Sequence, residues 1–291
     1  MKTQRSGRVH RQPTAMKNSE GRPVLMDYCL LPYDAEPAAD ALASTTMLTA
    51  GLAAMGALDA GEALCDRIVD ELGPHRTVWG IGRDHVSGEI TCELYFYRRP
   101  HSQDVDLALV DSLLAPTIEL ASTLNDSVPW HMLSVELGAG HFGGNWPAIA
   151  RIYSDVTGLS YAVDGESLVL ENRYDFHHPQ RDIDAILQDL RASLHAPDTA
   201  ASLRDRLPPQ LLDCYHVCVA QKRTADAVYF SRIDGGAFGW FLAHCDWPEL
   251  VQSTWRKHAS RLEHVRWDVG FSYRRSGDSI TITKSGWYAS F

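Results

Sequence analysis

Cationic, phenolic and carboxylate side chains recur at every second position of several β-prone runs in this chain, a spacing that would aim them into one space. In Ile90-Thr-Cys-Glu-Leu-Tyr-Phe-Tyr97 the alternation puts Glu93, Tyr95 and Tyr97 on one face and Cys92, Leu94 and Phe96 on the other. Ile149, Arg151 and Tyr153 share a face of the run Ala148 to Ser154, and in Ser167 to Asp175 Glu171 and Arg173 lie opposite Leu170 and Tyr174. Arg83, Tyr161 and Lys222 extend the same set on neighbouring runs. Fixed cations hold an anion and stabilise negative charge as it develops, while the π faces of phenols attract a positive centre. Turned into a sheltered interior, these residues suit a reaction that separates charge. On a sheet face open to water the same Tyr, Glu and Arg would be ordinary surface residues.

The elements that must position them are hairpins. Thr77 to Arg99 reads as two β-prone runs meeting at His85-Val-Ser-Gly88. The pattern returns as His131 to Gly138 with Ala148 to Ser154, and as Leu159 to Val163 with Ser167 to Asp175 across an Asp164-Gly165 turn. Tyr215 to Lys222 pairs with Ala227 to Ile233, and Val265 to Arg274 pairs with Ser279 to Phe291. Ala237 to His244 is apolar and reads as a further strand. Between the pairs lie helical patterns: an Ala- and Leu-rich stretch from Asp34 to Leu72 interrupted by glycines, Asp104 to Leu124 with a kink at Pro116, Asp182 to Leu194, Ala200 to Leu212, and Pro248 to Leu262. Only Asp155-Val-Thr-Gly158 separates the second pair from the third.

Antiparallel pairs with one face under helices leave the opposite face to be buried or solvated. Closing the sheet buries it and removes the edges. The expected fold is therefore α+β, an antiparallel barrel of about ten strands with outer helices and a lumen wide enough for a ligand. An open sheet whose polar face meets water gives the same alternation.

Composition narrows the function classes. With 291 residues, 45% of them hydrophobic, the chain can fill a large core, read here as one barrel domain over residues 23–291 after a disordered basic arm over 1–22. A formal net charge of -10 argues against a general nucleic-acid binder. No apolar run approaches a membrane span. Six scattered cysteines without a CxxC pair, and no secretory leader, point to a reduced cytoplasmic setting.

Three stretches carry a family likeness: Gly158-Leu-Ser-Tyr-Ala-Val-Asp-Gly-Glu-Ser-Leu-Val-Leu-Glu-Asn-Arg-Tyr174, the hairpin Gln221-Lys-Arg-Thr-Ala-Asp-Ala-Val-Tyr-Phe-Ser-Arg-Ile233, and Trp287-Tyr-Ala-Ser-Phe291. With the alternation of hairpins and helices from about Thr77 onward, the chain resembles the ABBA, or PT-barrel, aromatic prenyltransferases, and within them the cyanobactin-type peptide prenyltransferases. The resemblance implies transfer of a dimethylallyl or geranyl group from an allylic diphosphate, with Mg2+, to an aromatic small molecule or a peptide, in tailoring a natural product or a ribosomally made peptide. Arg151, Lys222, Arg232 and Lys284 match the family's cations and would hold the diphosphate, with Arg83 and Arg173 completing the set. Tyr95, Tyr97, Tyr153, Tyr161, Tyr229 and Tyr288 would shield the carbocation and line the acceptor pocket. Glu93 would be the catalytic acidic residue that orients or deprotonates the acceptor; the family's acidic residue stands on the preceding strand, where this chain has Val78 and Trp79.

Other motifs have blander readings. Ser134-Val-Glu-Leu-Gly-Ala-Gly-His-Phe-Gly143 looks like the glycine loop of an S-adenosylmethionine methyltransferase or a dinucleotide site, yet Trp146-Pro147 and an alternating run come after it where a helix should start. His177-His178, with Asp175 nearby, could suggest a metal, but no further ligand stands at convincing spacing. The expected activity is prenyl transfer; a methyltransferase and a non-catalytic ligand-binding barrel are the alternatives.

Overall fold

The computed structural model of the chain describes residues 24–38, 40–98, 105–115, 117–120, 130–143, 147–154, 158–164 and 167–291. The proposed arm over 1–22 and the proline expected to kink a helix, Pro116, lie outside the described residues.

A short hairpin, β1 (Val24–Met26) and β2 (Pro32–Asp34), precedes two helices, α1 (Thr45–Met55) and α2 (Leu58–Leu72). The helix start read at Asp34 falls eleven positions too early by this boundary, because Asp34 ends β2; the expected break is real and lies at Gly56, whose φ of 82° is the left-handed conformation that closes a helix. The first barrel hairpin comes next as β3 (Thr77–Asp84) and β4 (Ile90–Tyr97), then α3 (Leu107–Leu114), which begins on an Asp106 cap accepting the Leu109 N–H at 2.7 Å. The second and third hairpins are β5 (Met132–Gly138) with β6 (Ala150–Tyr153), and β7 (Leu159–Asp164) with β8 (Ser167–His177). After α4 (Ile183–Arg191) and α5 (Ala200–Arg206) come β9 (Val217–Lys222) and β10 (Asp226–Ile233), then α6 (Gly235–His244) and α7 (Glu249–His258), and last β11 (Trp267–Ser276) and β12 (Ser279–Ser290).

Strands β3 to β12 form one closed antiparallel barrel, each bonded to its neighbours in sequence and β12 sealed to β3. The run Ala237 to His244, expected as a strand, is helical in α6. Its Asp234 carboxylate accepts the Ala237 N–H at 2.8 Å, and Phe238, Phe241 and Leu242 fall at the three- and four-residue spacing that buries one helix face.

Helices cover most of the outside: α1 on β3 and β4, α4 on β8 and β9, α5 on β12, α6 on β11. The core beneath them comes from outward positions of the strands, among them Trp79, Ile81, Trp267, Phe271 and Trp287, all buried. Trp267 stacks on Phe238 with ring centroids 4.3 Å apart and meets Trp79 and Trp287 edge to face. On β8 the outward Leu168 and Leu170 stay exposed. No helix among the described residues is long and apolar enough to cross a membrane.

Candidate active site in the barrel lumen

The inward positions of the same strands surround a cavity of about 940 Å³. Its layers are set by the strand register. Near the hairpin-turn end, β4 contributes Thr91 and Glu93, β5 contributes Glu136, β6 Arg151, β8 Glu171, β9 Lys222, β11 Ser272 and β12 Lys284. Here the charges pair across strands. Lys284 Nζ donates to Glu93 Oε1 at 2.8 Å and to Glu136 Oε1 at 2.5 Å, Thr91 donates to Glu136 Oε1 at 3.1 Å, and Arg151 reaches Glu136 at 3.4 Å and Glu171 at 2.8 Å. Two cations and three carboxylates thus make one chain along the wall. Lys222 stands apart, its Nζ donating to Tyr229 Oη at 3.0 Å and Ser272 Oγ at 3.3 Å.

Burial works against charge on Glu136, but the Lys284 ammonium and the Arg151 guanidinium outweigh it and hold the carboxyl down to about 2. The same pairing overcomes burial on the cations and keeps Lys284 and Arg151 protonated far above neutral pH.

One layer deeper lies a ring of phenols, one from the second strand of each hairpin: Tyr95 on β4, Tyr153 on β6, Tyr174 on β8, Tyr229 on β10 and Tyr288 on β12. Successive centroids are 6.5, 6.0, 6.4, 6.4 and 5.9 Å apart, and the last step closes the ring. Two glycines make room for it. A Cβ at Gly80 would come 2.3 Å from Tyr288 Cδ1, and one at Gly270 2.1 Å from Tyr229 Cδ1, so each ring occupies space that only a glycine leaves open. Desolvation raises the phenol pKa well above its usual value at Tyr95, Tyr174 and Tyr288 and pushes Tyr153 up to about 12, so these rings are neutral. Tyr95 donates its hydroxyl to Glu93 Oε2, and Tyr153 Oη lies 3.1 Å from Ser134 Oγ.

The far end is crossed by the turn that joins β1 to β2, residues 27–31. Asp27 Oδ1 accepts the N–H groups of Cys29 and Leu31 at 2.9 and 2.8 Å, and Tyr28 is thereby aimed into the barrel, its ring 4.9 Å from Tyr95 and 5.0 Å from Tyr288.

Of the residues singled out in the sequence, the lumen brings together Glu93, Tyr95, Arg151, Tyr153, Lys222, Tyr229, Lys284 and Tyr288. Arg83 is placed elsewhere: with Val78, Gly80 and Gly82 inward on β3, its parity is outward, and it donates to the carbonyls of Cys245 and Asp246 behind the barrel wall. Arg173 also points out, with 58% of its side chain exposed and Asp175 as its partner at 3.1 Å. Tyr161 packs against the outer core. Tyr97 faces inward below the ring and donates to the Tyr28 carbonyl. Arg232 sits in an irregularity of β10 with φ of 57°, bonded to Asp27 and stacked 4.2 Å over Tyr215, away from the charged layer.

Three lumen residues escape simple alternation. Between Leu170 and Asn172 the register on β7 shifts, so Glu171 and Asn172 both line the cavity and Tyr174 is carried inward. Glu136 was visible within the glycine motif, and its spacing from Ser134 and Met132 on one strand was the signal. Tyr28 lies outside the barrel strands and leaves no periodic trace.

The glycine motif itself ends β5, which is antiparallel to both neighbours, and continues into a short turn at His141–Gly143, and the next described strand is β6. It lacks the parallel strand and succeeding helix that a methyltransferase or dinucleotide loop needs. Nor does the donor set fit a magnesium ion held by the protein: Glu93 and Glu136 already converge on the Lys284 ammonium, and no group of three metal-binding side chains occurs among the described residues. Compared with known proteins, the chain matches no family model and no curated sequence.

Proposed function

We propose that the protein is a prenyltransferase that moves a short isoprenoid from an allylic diphosphate to an aromatic or peptidic acceptor. The observation that carries this reading is the closed ring of five tyrosines directly beneath a layer of fixed cations. The allylic C–O bond breaks and its electron pair leaves with the diphosphate. Lys222, with Lys284 and Arg151, stabilises the charge gained by the leaving group, and the tyrosine faces stabilise the positive carbon left behind. A bond then forms between that carbon and the acceptor's nucleophilic atom, whose proton passes to the Glu93 carboxylate. The closed wall keeps water from taking the carbon first.

A second reading rests on one observation: Lys284 and Arg151 are already neutralised by Glu93, Glu136 and Glu171, which suits a barrel that binds a neutral or cationic ligand without chemistry. Thermal unfolding with dimethylallyl and geranyl thiolodiphosphates, with and without Mg2+, separates the two. The transferase reading expects a rise in Tm with either analogue that is lost in Lys222→Met. Absence of any shift, or stabilisation by S-adenosylmethionine alone, would overturn it.

A further inference from the structure

The turn between β1 and β2 is fastened to the barrel with unusual thoroughness for so short a segment. Arg232 Nε donates to Asp27 Oδ2 at 2.9 Å and its terminal nitrogen to the Leu31 carbonyl at 3.2 Å. The Tyr28 N–H donates to Asp268 Oδ2 at 3.0 Å, Tyr97 donates to the Tyr28 carbonyl, and Ser290 donates to the Met26 carbonyl at 3.1 Å. Partners on β4, β10, β11 and β12 therefore hold the strap from several sides. Its backbone bends through Leu30 at φ of 56°, and that bend sends Tyr28 and Leu30 inward, where they join Val78, Met132 and Tyr97 as the apolar lining of the deep end.

Strand register fixes the depth of this floor. Glu93 and Tyr95 are two residues apart on β4, about 7 Å along the strand, and the Tyr28 ring touches Tyr95 and Tyr288 from the side away from the charged layer. A ligand anchored by its anionic head at Lys222 and Lys284 extends its apolar tail across the phenol ring and ends against Tyr28. The floor is thus a side chain contributed from outside the barrel.

The geometry points to Tyr28 as the residue that sets the length of apolar tail the lumen accepts. The assignment rests on the allylic diphosphate reading above. The ring blocks the tail's path, and its removal opens apolar depth bounded by Leu30, Val78 and Met132. The strap's hydrogen bonds run through the Tyr28 backbone and Asp27, so they survive replacement of the side chain.

The test compares dimethylallyl, geranyl and farnesyl thiolodiphosphates by thermal shift and calorimetric titration on the wild-type chain, Tyr28→Ala and Tyr28→Phe. In Tyr28→Ala, affinity for the farnesyl compound relative to the dimethylallyl compound rises about tenfold or more, while Tyr28→Phe, which keeps the ring, retains the wild-type order. Tyr28→Leu gives the same direction with a smaller cavity and serves if the alanine variant fails to fold. Wild-type binding with an unchanged order in Tyr28→Ala and Tyr28→Leu overturns the assignment and leaves the prenyl reading intact. If none of the three compounds binds any of the proteins, the prenyl reading fails and the assignment falls with it.

Discussion

The two faces of the barrel wall use the same strands and the same class of side chain to opposite ends. Outside, Trp79, Trp267 and Trp287 meet each other, and the latter two meet Phe238, at centroid distances of 4.3 to 6.4 Å under α6 and α7. Inside, tyrosines at similar centroid distances line a cavity, and the hydroxyls of Tyr95 and Tyr229 meet Glu93 and Lys222 of the charged layer. Alternation along a strand is all that separates them: Trp287 and Tyr288 are adjacent. The outer face supplies dry aromatic contact, whereas the inner face keeps polarisable surface exposed to a cavity and so gives up packing.

That contrast is sharpest where single substitutions should split stability from activity. Trp287→Ala on the outer face is expected to cost about 3–5 kcal/mol in unfolding free energy, visible as a large drop in denaturant midpoint; a loss below about 1 kcal/mol would break the division of labour. On the inner face Lys222→Met keeps its apolar stem, so Tm should move little while product formation from an allylic diphosphate falls about 100-fold, measured as transfer to an aromatic acceptor.

A third expectation concerns acid. Glu136 is held at about 2 when folded, below its ordinary 4.5, so the stability it contributes is present above the ordinary value and is lost as pH falls toward the folded one. Tm should decline between about pH 4.5 and 2 in the wild type and less steeply in Glu136→Gln. Asp268 runs the other way. Burial, with Asp27 beside it, raises its carboxyl pKa, so the stability gained from the proton it keeps is full below the unfolded value and is lost as pH rises through the folded one. Asp268→Asn, which still accepts the Tyr28 N–H, should therefore raise Tm more at pH 8 than at pH 4. The smallest effect is Tyr174→Phe, which removes the 3.0 Å bond from Asn172 and should cost about 1 kcal/mol or less while leaving the phenyl face in the ring.

How much of this could be read from the chain depends on whether period two holds. On β4, Glu93, Tyr95 and Tyr97 are unbroken alternation, and all three face inward as their spacing demands. On β8 the extra residue at Glu171 reverses the parity of the rest of the strand, which sends Arg173 out and Tyr174 in. Arg83 failed for a simpler reason: its polar type suggested the lumen, but Gly80 and Gly82 hold the inward positions of β3 and carry no side chain to advertise the face. Arg232 is excluded by a left-handed backbone that a strand pattern does not reveal. The apolar run in α6 has the composition of a strand, and only its Asp234 cap and three-residue spacing favour the helix. Closure into a barrel was legible because five hairpins with one apolar face each leave little else to do with the other.

The seam between β3 and β12 joins positions 200 apart, Asp84 to Lys284. During synthesis β3 to β11 emerge before β12, so the free edge of β3 has no native partner until β12 follows. Ordering so long a loop slows closure, and an open edge invites pairing with the wrong chain. Lys284 and Tyr288 travel on β12, so the charged layer gains this lysine and the phenol ring its fifth member in the same step that seals the wall.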